Sequence, residues 1–165
     1  MKQRILFLCT GNSARSQMAE ALLRLIADDH FDAGSAGTHP AGLNPMTVEA
    51  MQEIGVDVRH HRSKPVEEFI GQHFTYVITV CDRAKESCPV FPDAVHVRHW
   101  SFNDPAAAPI EVRLEVFRRV RDEIIDRLCQ FLIEDVKLNP AALKCPRSGA
   151  VPFKVASCAN AQKSS

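Results

Sequence analysis

Ile5-Leu6-Phe7-Leu8-Cys9-Thr10-Gly11-Asn12-Ser13-Ala14-Arg15-Ser16 is the stretch on which the fold turns. Its first four residues form an apolar run without alternation. Such a run suits a strand buried on both faces of a parallel sheet, because a strand with one wet face would alternate. The residues from Cys9 to Ser16 are mostly small or polar and read as a loop. Beyond them Ala19, Leu22, Leu23 and Ile26 recur at i, i+3, i+4 and i+7, which is the buried stripe of a helix. Strand, loop and helix in that order open an α/β unit.

Working outward, residues 31–36 read as a short strand ended by Gly37. Asn44-Pro45 reads as an N-cap followed by proline, opening a helix that Val48, Met51 and Gln52 carry to Gly55. Residues 64–70 suggest a further short helix. Residues 76–80 form the next strand, which ends at Cys81, and residues 95–99 form a weaker one. The longest helix is predicted over 110–135, with Phe117, Val120, Ile124, Leu128 and Phe131 as its stripe. Strands alternating with helices predict an α/β fold with a mostly parallel sheet. Residues 137–165 carry Pro140, Pro146, Gly149 and Pro152 without periodicity. The expected division is therefore one domain over 1–136 and a C-terminal tail over 137–165.

Composition narrows the function classes. A chain of 165 residues, 45% of them hydrophobic, is long and apolar enough for one ordinary core. Twenty Lys and Arg balance twenty Asp and Glu, so bulk positive charge cannot recruit nucleic acid, and no nucleic-acid partner is expected. The longest early apolar stretch, 5–9, is too short for a signal peptide core or a membrane span. A cytoplasmic protein without membrane contact is expected. In a reducing compartment its six cysteines are catalytic, metal-binding or simply buried rather than structural disulfides.

Cys9 and Arg15 bracket the loop. A bare Cys-x5-Arg arises often by chance, and Cys9 by itself reads as a small apolar residue ending a strand. Its place between strand and helix changes the reading. Such a turn points successive N–H groups into a hollow, and the helix N-terminus adds partial positive charge. That nest suits a tetrahedral oxyanion, held by the amides of Thr10, Gly11, Asn12, Ser13, Ala14, Arg15 and Ser16, with the Arg15 fork on two oxygens. The same field is expected to lower the Cys9 thiol from its free value of about 8.5 to well below neutrality. Ser13 and Ser16 either order the loop and donate to the thiolate or cap the helix.

Cys81 ends the strand over 76–80. In a parallel sheet that end shares an edge with Cys9. With Cys88 it forms a second thiol pair in Cys81-Asp82-Arg83-Ala84-Lys85-Glu86-Ser87-Cys88-Pro89. Two thiols beside a thiolate nucleophile suggest a redox relay, whereas the bland alternative is two buried thiols. If 81–88 were helical, a ~1.5 Å rise per residue would part the two Cα atoms by roughly 10 Å. A disulfide needs them within about 7 Å, so the segment has to bend or unwind. Pro89 disfavours helical geometry at Cys88, so a helix there should end at that residue and loosen easily, and a mobile loop is expected over about 82–93. A zinc site would need Cys81, Cys88, Cys145 and Cys158, and it lacks any Cys-x2-Cys pair, so no metal is expected. Cys129 lies beside the stripe of the long helix and reads as structural. Cys145 and Cys158 lie in the tail, where the sequence provides no mechanism for them. The histidines, among them His60-His61, His96 and His99, show no metal spacing and read as surface or supporting residues.

The run from Cys9 to Glu20 resembles the opening of the low-molecular-weight protein tyrosine phosphatases, and more closely the arsenate reductases that share their fold. The resemblance extends to about residue 135 through Ser35-Ala36-Gly37-Thr38, Asn44-Pro45 and Trp100-Ser101-Phe102-Asn103-Asp104-Pro105. It implies a four-stranded parallel sheet flanked by helices on both faces, a C-terminal extension beyond it, and an active site where the first strand enters the loop. It also implies that Asp104, otherwise an ordinary Asp-Pro turn starter, lies over the loop as a general acid. Burial near a dianion would raise its pKa. The segment 81–89 resembles the three-cysteine, thioredoxin-coupled arsenate reductases. Tyrosine phosphatases of this fold typically lack that pair and commonly carry tyrosines where Ala106-Ala107-Ala108 stands here.

The resemblance implies reduction of arsenate, with phosphate or sulfate as competing oxyanions. Cys9 would attack arsenic, a Cys9–Cys81 disulfide would form as intermediate, and a Cys81–Cys88 disulfide would be the final product. Thioredoxin would be the electron donor, with no tightly bound cofactor and a monomeric chain. The alternative is a phosphatase working through a Cys9 phospho-enzyme. Asn12, Glu20 and Ser35 match positions that help bind potassium in some members. Lys64 falls where those members supply a carboxylate, so no potassium site is expected. Ala14 replaces a cysteine often present in the family loop but outside the relay.

Overall fold

The computed structural model describes residues 1–87, 89 and 91–144. Four parallel strands form one sheet: β1 (Gln3–Cys9), β2 (Phe31–Gly37), β3 (Tyr76–Thr79) and β4 (His96–His99), in the order β2-β1-β3-β4. The unbroken apolar run lies in the interior strand β1, where Ile5, Leu6, Phe7 and Leu8 are each 0% exposed. Residues of opposite parity serve opposite faces. Ile5 and Phe7 join the larger core beneath α1 (Arg15–Ala27), α2 (Pro45–Gln52) and α4 (Arg113–Glu134). Leu6 and Leu8 meet Val66, Phe74, Val77 and Phe91 on the other face, under a 3-10 helix over Val66–Phe69. Helices thus flank both faces, though unequally. Packing a second face is what stabilises a parallel strand, which has no solvated side to fall back on.

The remaining elements fit the patterning with local adjustments. The N-cap read at Asn44 is present, its side chain accepting from the Met46 N–H at 2.9 Å ahead of Pro45. The stripe of α4 is buried as predicted, with Phe117, Val120, Ile124, Leu128 and Phe131 all at 0%. Cys129 is buried beside it. The short helix expected over 64–70 tightens to the 3-10 turn, because Pro65 holds an extended conformation (ψ 145°) at its start. The loop expected from residue 82 onward is instead helical at its start, as α3 (Asp82–Ser87). Strand β4 was the weaker prediction because it is an edge strand, and Val97 on it is 59% exposed. Beyond α4, Leu138 and Leu143 pack on the larger core, and the Lys144 N–H bonds Ile26 O at 3.1 Å. No helix among the described residues is long and apolar enough to cross a membrane.

Candidate active site

The carboxyl ends of β1 and β3 lie side by side, with Leu8 paired to Thr79 and the Val80 N–H bonded to Leu8 O at 2.8 Å. Parallel pairing therefore delivers Cys9 and Cys81 to one edge, both buried at 3% exposure. Between Cys9 and α1 the chain curls into a tight loop. Its carbonyls are drawn outward by a neighbouring segment: the N–H groups of Thr38, His39, Ala41 and Asn44 bond the carbonyls of Cys9, Thr10, Gly11 and Ser13 at 3.2, 2.8, 2.9 and 3.0 Å. Thr47 Oγ1 and Ser63 Oγ add bonds to the carbonyls of Ser13 and Gly11, each 2.8 Å. With these carbonyls engaged behind it, the loop is free to direct N–H groups into the hollow, and that of Gly11 reaches Cys9 Sγ.

Asn12 holds the curl. Its φ of 46° lies in the left-handed region, which asparagine tolerates better than most residues. Its fully buried side chain donates to Ser16 Oγ at 2.8 Å and Ser35 Oγ at 3.0 Å. The Asn12 Oδ1 accepts from Gln17 Nε2 and from the Lys64 N–H, both at 2.9 Å. Ser35 in turn donates to Glu20 at 2.6 Å, and Lys64 Nζ lies 3.6 Å from the same carboxylate oxygen. Ser16 accordingly orders the loop. Neither serine caps the helix: its N-cap is Ala14, which has no side-chain bond to offer. Gln17, Ser63 and Thr47 were invisible as loop supports in the sequence, since each is an ordinary polar residue whose partner is set only by the tertiary fold.

Arg15 begins α1 and spans the hollow toward the 101–106 segment. Its NH1 donates to Phe102 O at 3.0 Å, and its NH2 lies 3.9 Å from Asp104 Oδ2. Its Nε is buried without a partner, an orphaned donor beside the loop. Asp104 follows Trp100, which is 3% exposed, bonds Thr79 O through its backbone N–H at 2.8 Å, and packs on Phe7 and Phe131. The Asp104 Oδ1 caps the following turn through the Ala106 N–H at 3.0 Å, leaving Oδ2 toward Arg15. The expected burial of this carboxyl is not observed, since its side chain is 48% exposed. The cleft framed by Cys9, Arg15, Cys81 and Asp104 encloses about 570 Å³, ample for a tetrahedral oxyanion. Cys88, Cys145 and Cys158 lie outside the described residues.

The two buried thiols are in hydrogen-bonding contact and ionise as a pair. Cys81 is drawn down to about 5 by the hydrogen bond from Cys9, by the Thr10 hydroxyl 3.4 Å away, by the Ala84 N–H and by the charge of Arg15, all against the cost of burial. Cys9 is pushed up, first by donating its proton to Cys81 and then by burial, while Arg15 and the Gly11 N–H pull the other way. The expectation of a low Cys9 pKa from the loop alone is therefore corrected. The first proton leaves easily, but the adjacent sulfur takes the charge and a second charge so close is opposed. Moving the bridging proton from Cys9 to Cys81 leaves the Cys9 thiolate facing the loop amides. Cys81→Ser is expected to remove the competing thiolate and bring the Cys9 titration below its present raised position. Ultraviolet thiolate absorbance against pH measures this, and a Cys9 that still titrates far above an ordinary thiol contradicts it.

The family model described as low molecular weight phosphotyrosine protein phosphatase matches residues 4–142. Arsenate reductase 2 of Staphylococcus epidermidis is 42% identical over 123 residues, covering 74% of this chain and 91% of that protein. The arsenate reductase of Staphylococcus aureus strain Newman is 43% identical over 123 residues, with the same shares of 74% and 91%. A solved arsenate reductase in its phosphate-binding state aligns with a TM-score of 0.65 at 27% identity, over 76% of this chain and 93% of that one. The thioredoxin-dependent arsenate reductase of Corynebacterium glutamicum aligns with a TM-score of 0.55 at 30% identity, over 74% of this chain and 60% of that one.

Proposed function

Because the chain belongs to the low molecular weight phosphotyrosine protein phosphatase family, we propose that it is the arsenate reductase of that fold, working in the reducing cytoplasm as a monomer. The observation that carries the reading is the placement of Cys81 beside Cys9 at the ends of adjacent parallel strands, both buried and both lining one cleft with Arg15 and Asp104. Phosphoester hydrolysis needs only Cys9, Arg15 and Asp104, and would leave a second activated sulfur idle beside the nucleophile. The names of the relatives from Staphylococcus point the same way.

In the proposed reaction the loop amides and Arg15 hold arsenate. The Cys9 thiolate attacks arsenic, an S–As bond forms, and Asp104 protonates the departing oxygen so that it leaves as water. The Cys81 thiolate then attacks Cys9 Sγ. The S–As bond breaks with its electron pair passing to arsenic, which falls from As(V) to As(III) and leaves as arsenite. The two sulfurs lost those electrons and are joined as the Cys9–Cys81 disulfide. Cys88 attacks Cys81, frees Cys9 as thiolate and leaves a Cys81–Cys88 disulfide. Thioredoxin supplies two electrons to reopen it. The name of the thioredoxin-dependent relative from Corynebacterium supports that donor. Phosphate has the shape and charge of arsenate, so slow phosphatase side activity is part of the proposal.

Cys88→Ser tests the order of exchanges. With arsenate alone, it is expected to release a single equivalent of arsenite and stop with Cys9 joined to Cys81, as read by peptide mass mapping. Continued arsenite release, or a halted enzyme with both sulfurs still reduced, contradicts the relay.

A further inference from the structure

Where β3, β4 and α3 meet, a polar cluster lies beside Cys81 that the proposed chemistry does not use. His99, the last residue of β4, places Nε2 2.9 Å from Asp82 Oδ1 and Nδ1 2.7 Å from Thr79 Oγ1. Ser101 Oγ donates to the same Asp82 oxygen at 3.3 Å. Thr79 is 3% exposed at the end of β3 and the His99 side chain 22% exposed, whereas the Asp82 side chain is 75% exposed. With Nε2–H donating to Asp82 and Nδ1 accepting the Thr79 hydroxyl, the ring is fixed at both nitrogens. Two strand ends rooted in the sheet therefore grip the first residue of α3.

That grip matters because, among the described residues, α3 has few other holds. It spans only Asp82–Ser87, too short to be stable by its own hydrogen bonds. It buries a single side chain, Ala84. At its start the Lys85 N–H bonds Cys81 O at 3.2 Å, and the Ala84 N–H reaches the Cys81 sulfur. Cys81 thus serves as a sulfur N-cap. Once Cys81 enters a disulfide its negative charge is gone, and that cap weakens. The Asp82–His99 contact then holds this end of the helix together with the Ser101 hydroxyl and the Lys85 N–H bond to Cys81 O.

We propose that His99 is a positioning residue: by gripping Asp82 it keeps Cys81 and the first turn of α3 against the nucleophile loop, and it sets how readily α3 opens for the second thiol exchange. The inference rests on the relay reading above. In that exchange the Cys88 thiolate attacks Cys81 Sγ. The Cys81–Cys88 bond forms, the Cys9–Cys81 bond breaks, and Cys9 leaves with the electron pair as thiolate, with no net oxidation. If the helical rise of ~1.5 Å per residue ran on from Ser87 to residue 88, the two Cα atoms would stand roughly 10 Å apart, beyond the reach of a disulfide, so on that reading the exchange waits on opening.

The test uses the full chain as Asp82→Ala, at an exposed side chain, and as His99→Ala, with His99→Gln as the conservative variant that keeps an N–H toward Asp82. In the reduced protein, hydrogen exchange of the 84–87 amides is expected to rise about threefold to fivefold in both alanine variants, as for loss of one partly exposed hydrogen bond. Amides of β1 and β3 should be unchanged, and His99→Gln should fall between. After a single turnover with arsenate, the Cys81–Cys88 disulfide should appear faster by a similar factor. Unchanged exchange in both alanine variants overturns the grip. Raised exchange with an unchanged rate of the second disulfide overturns its control of the relay. A wild-type chain that forms no Cys81–Cys88 disulfide refutes the relay instead, and the exchange comparison in the reduced protein still decides whether His99 holds α3.

Discussion

Arg15→Ala is expected to weaken binding of inorganic phosphate, a safe stand-in for arsenate, by about a thousandfold. The guanidinium is 13% exposed, anchored to Phe102 O through NH1, and leaves Nε without a partner beside the loop. A donor buried in that state costs free energy until an acceptor arrives, so the arriving oxyanion recovers it. Two charge-assisted hydrogen bonds at roughly 1.5–3 kcal/mol each amount to a factor on the order of 10² to 10⁴ in affinity. Arg15→Lys restores the charge without the planar fork and should recover only part of the loss. Titration calorimetry with phosphate reads both variants. A loss below about tenfold for Arg15→Ala would show that the loop amides alone hold the anion.

Gly37→Ala carries the second large effect, although the residue is outside the cleft. Gly37 ends β2 opposite Cys9 in the register. A Cβ there would stand 2.5 Å from Thr10 O, 2.9 Å from the Asn12 amide nitrogen and 3.0 Å from Asn12 Cβ. Two of these atoms are backbone of the loop itself and cannot swing aside. The loop must move, and the outward bonds on its carbonyls must stretch with it. Overpacking of this kind costs about 1–3 kcal/mol, and bond loss in the Asn12 network adds to it. A fall in thermal midpoint together with at least tenfold weaker phosphate binding is expected. A variant as stable as wild type with unchanged phosphate affinity would mean the loop tolerates displacement and its N–H groups are not preset.

The legible parts of this molecule share a cause. The strand 5–8 could be read because both its faces are buried, so burial wrote a continuous run into the sequence. The meeting of Cys9 and Cys81 could be read because parallel strands end at a common edge. What escaped reading depends on partners distant in the chain. Gln17, Ser63 and Thr47 become supports of the loop only once the fold brings their partners to them. The start of α3 escaped because a six-residue helix is too short for periodicity to register, and its anchor, His99, lies on another strand. The ionisation of Cys9 departs from the expectation for a related reason. Helix terminus and arginine were visible in sequence, but the hydrogen bond between the two sulfurs was not, and in a buried pair that contact outweighs both.

Sustained arsenite production separates a three-thiol reductase from a phosphatase. The full chain is supplied with arsenate, thioredoxin, thioredoxin reductase and NADPH, and arsenite is counted beside Cys81→Ser and Cys88→Ser. Repeated turnover by the wild type, with Cys81→Ser releasing none and Cys88→Ser stopping after one equivalent, is the predicted result. Hydrolysis of p-nitrophenyl phosphate by all three proteins, with no arsenite from any of them, would contradict it and make the chain a phosphatase.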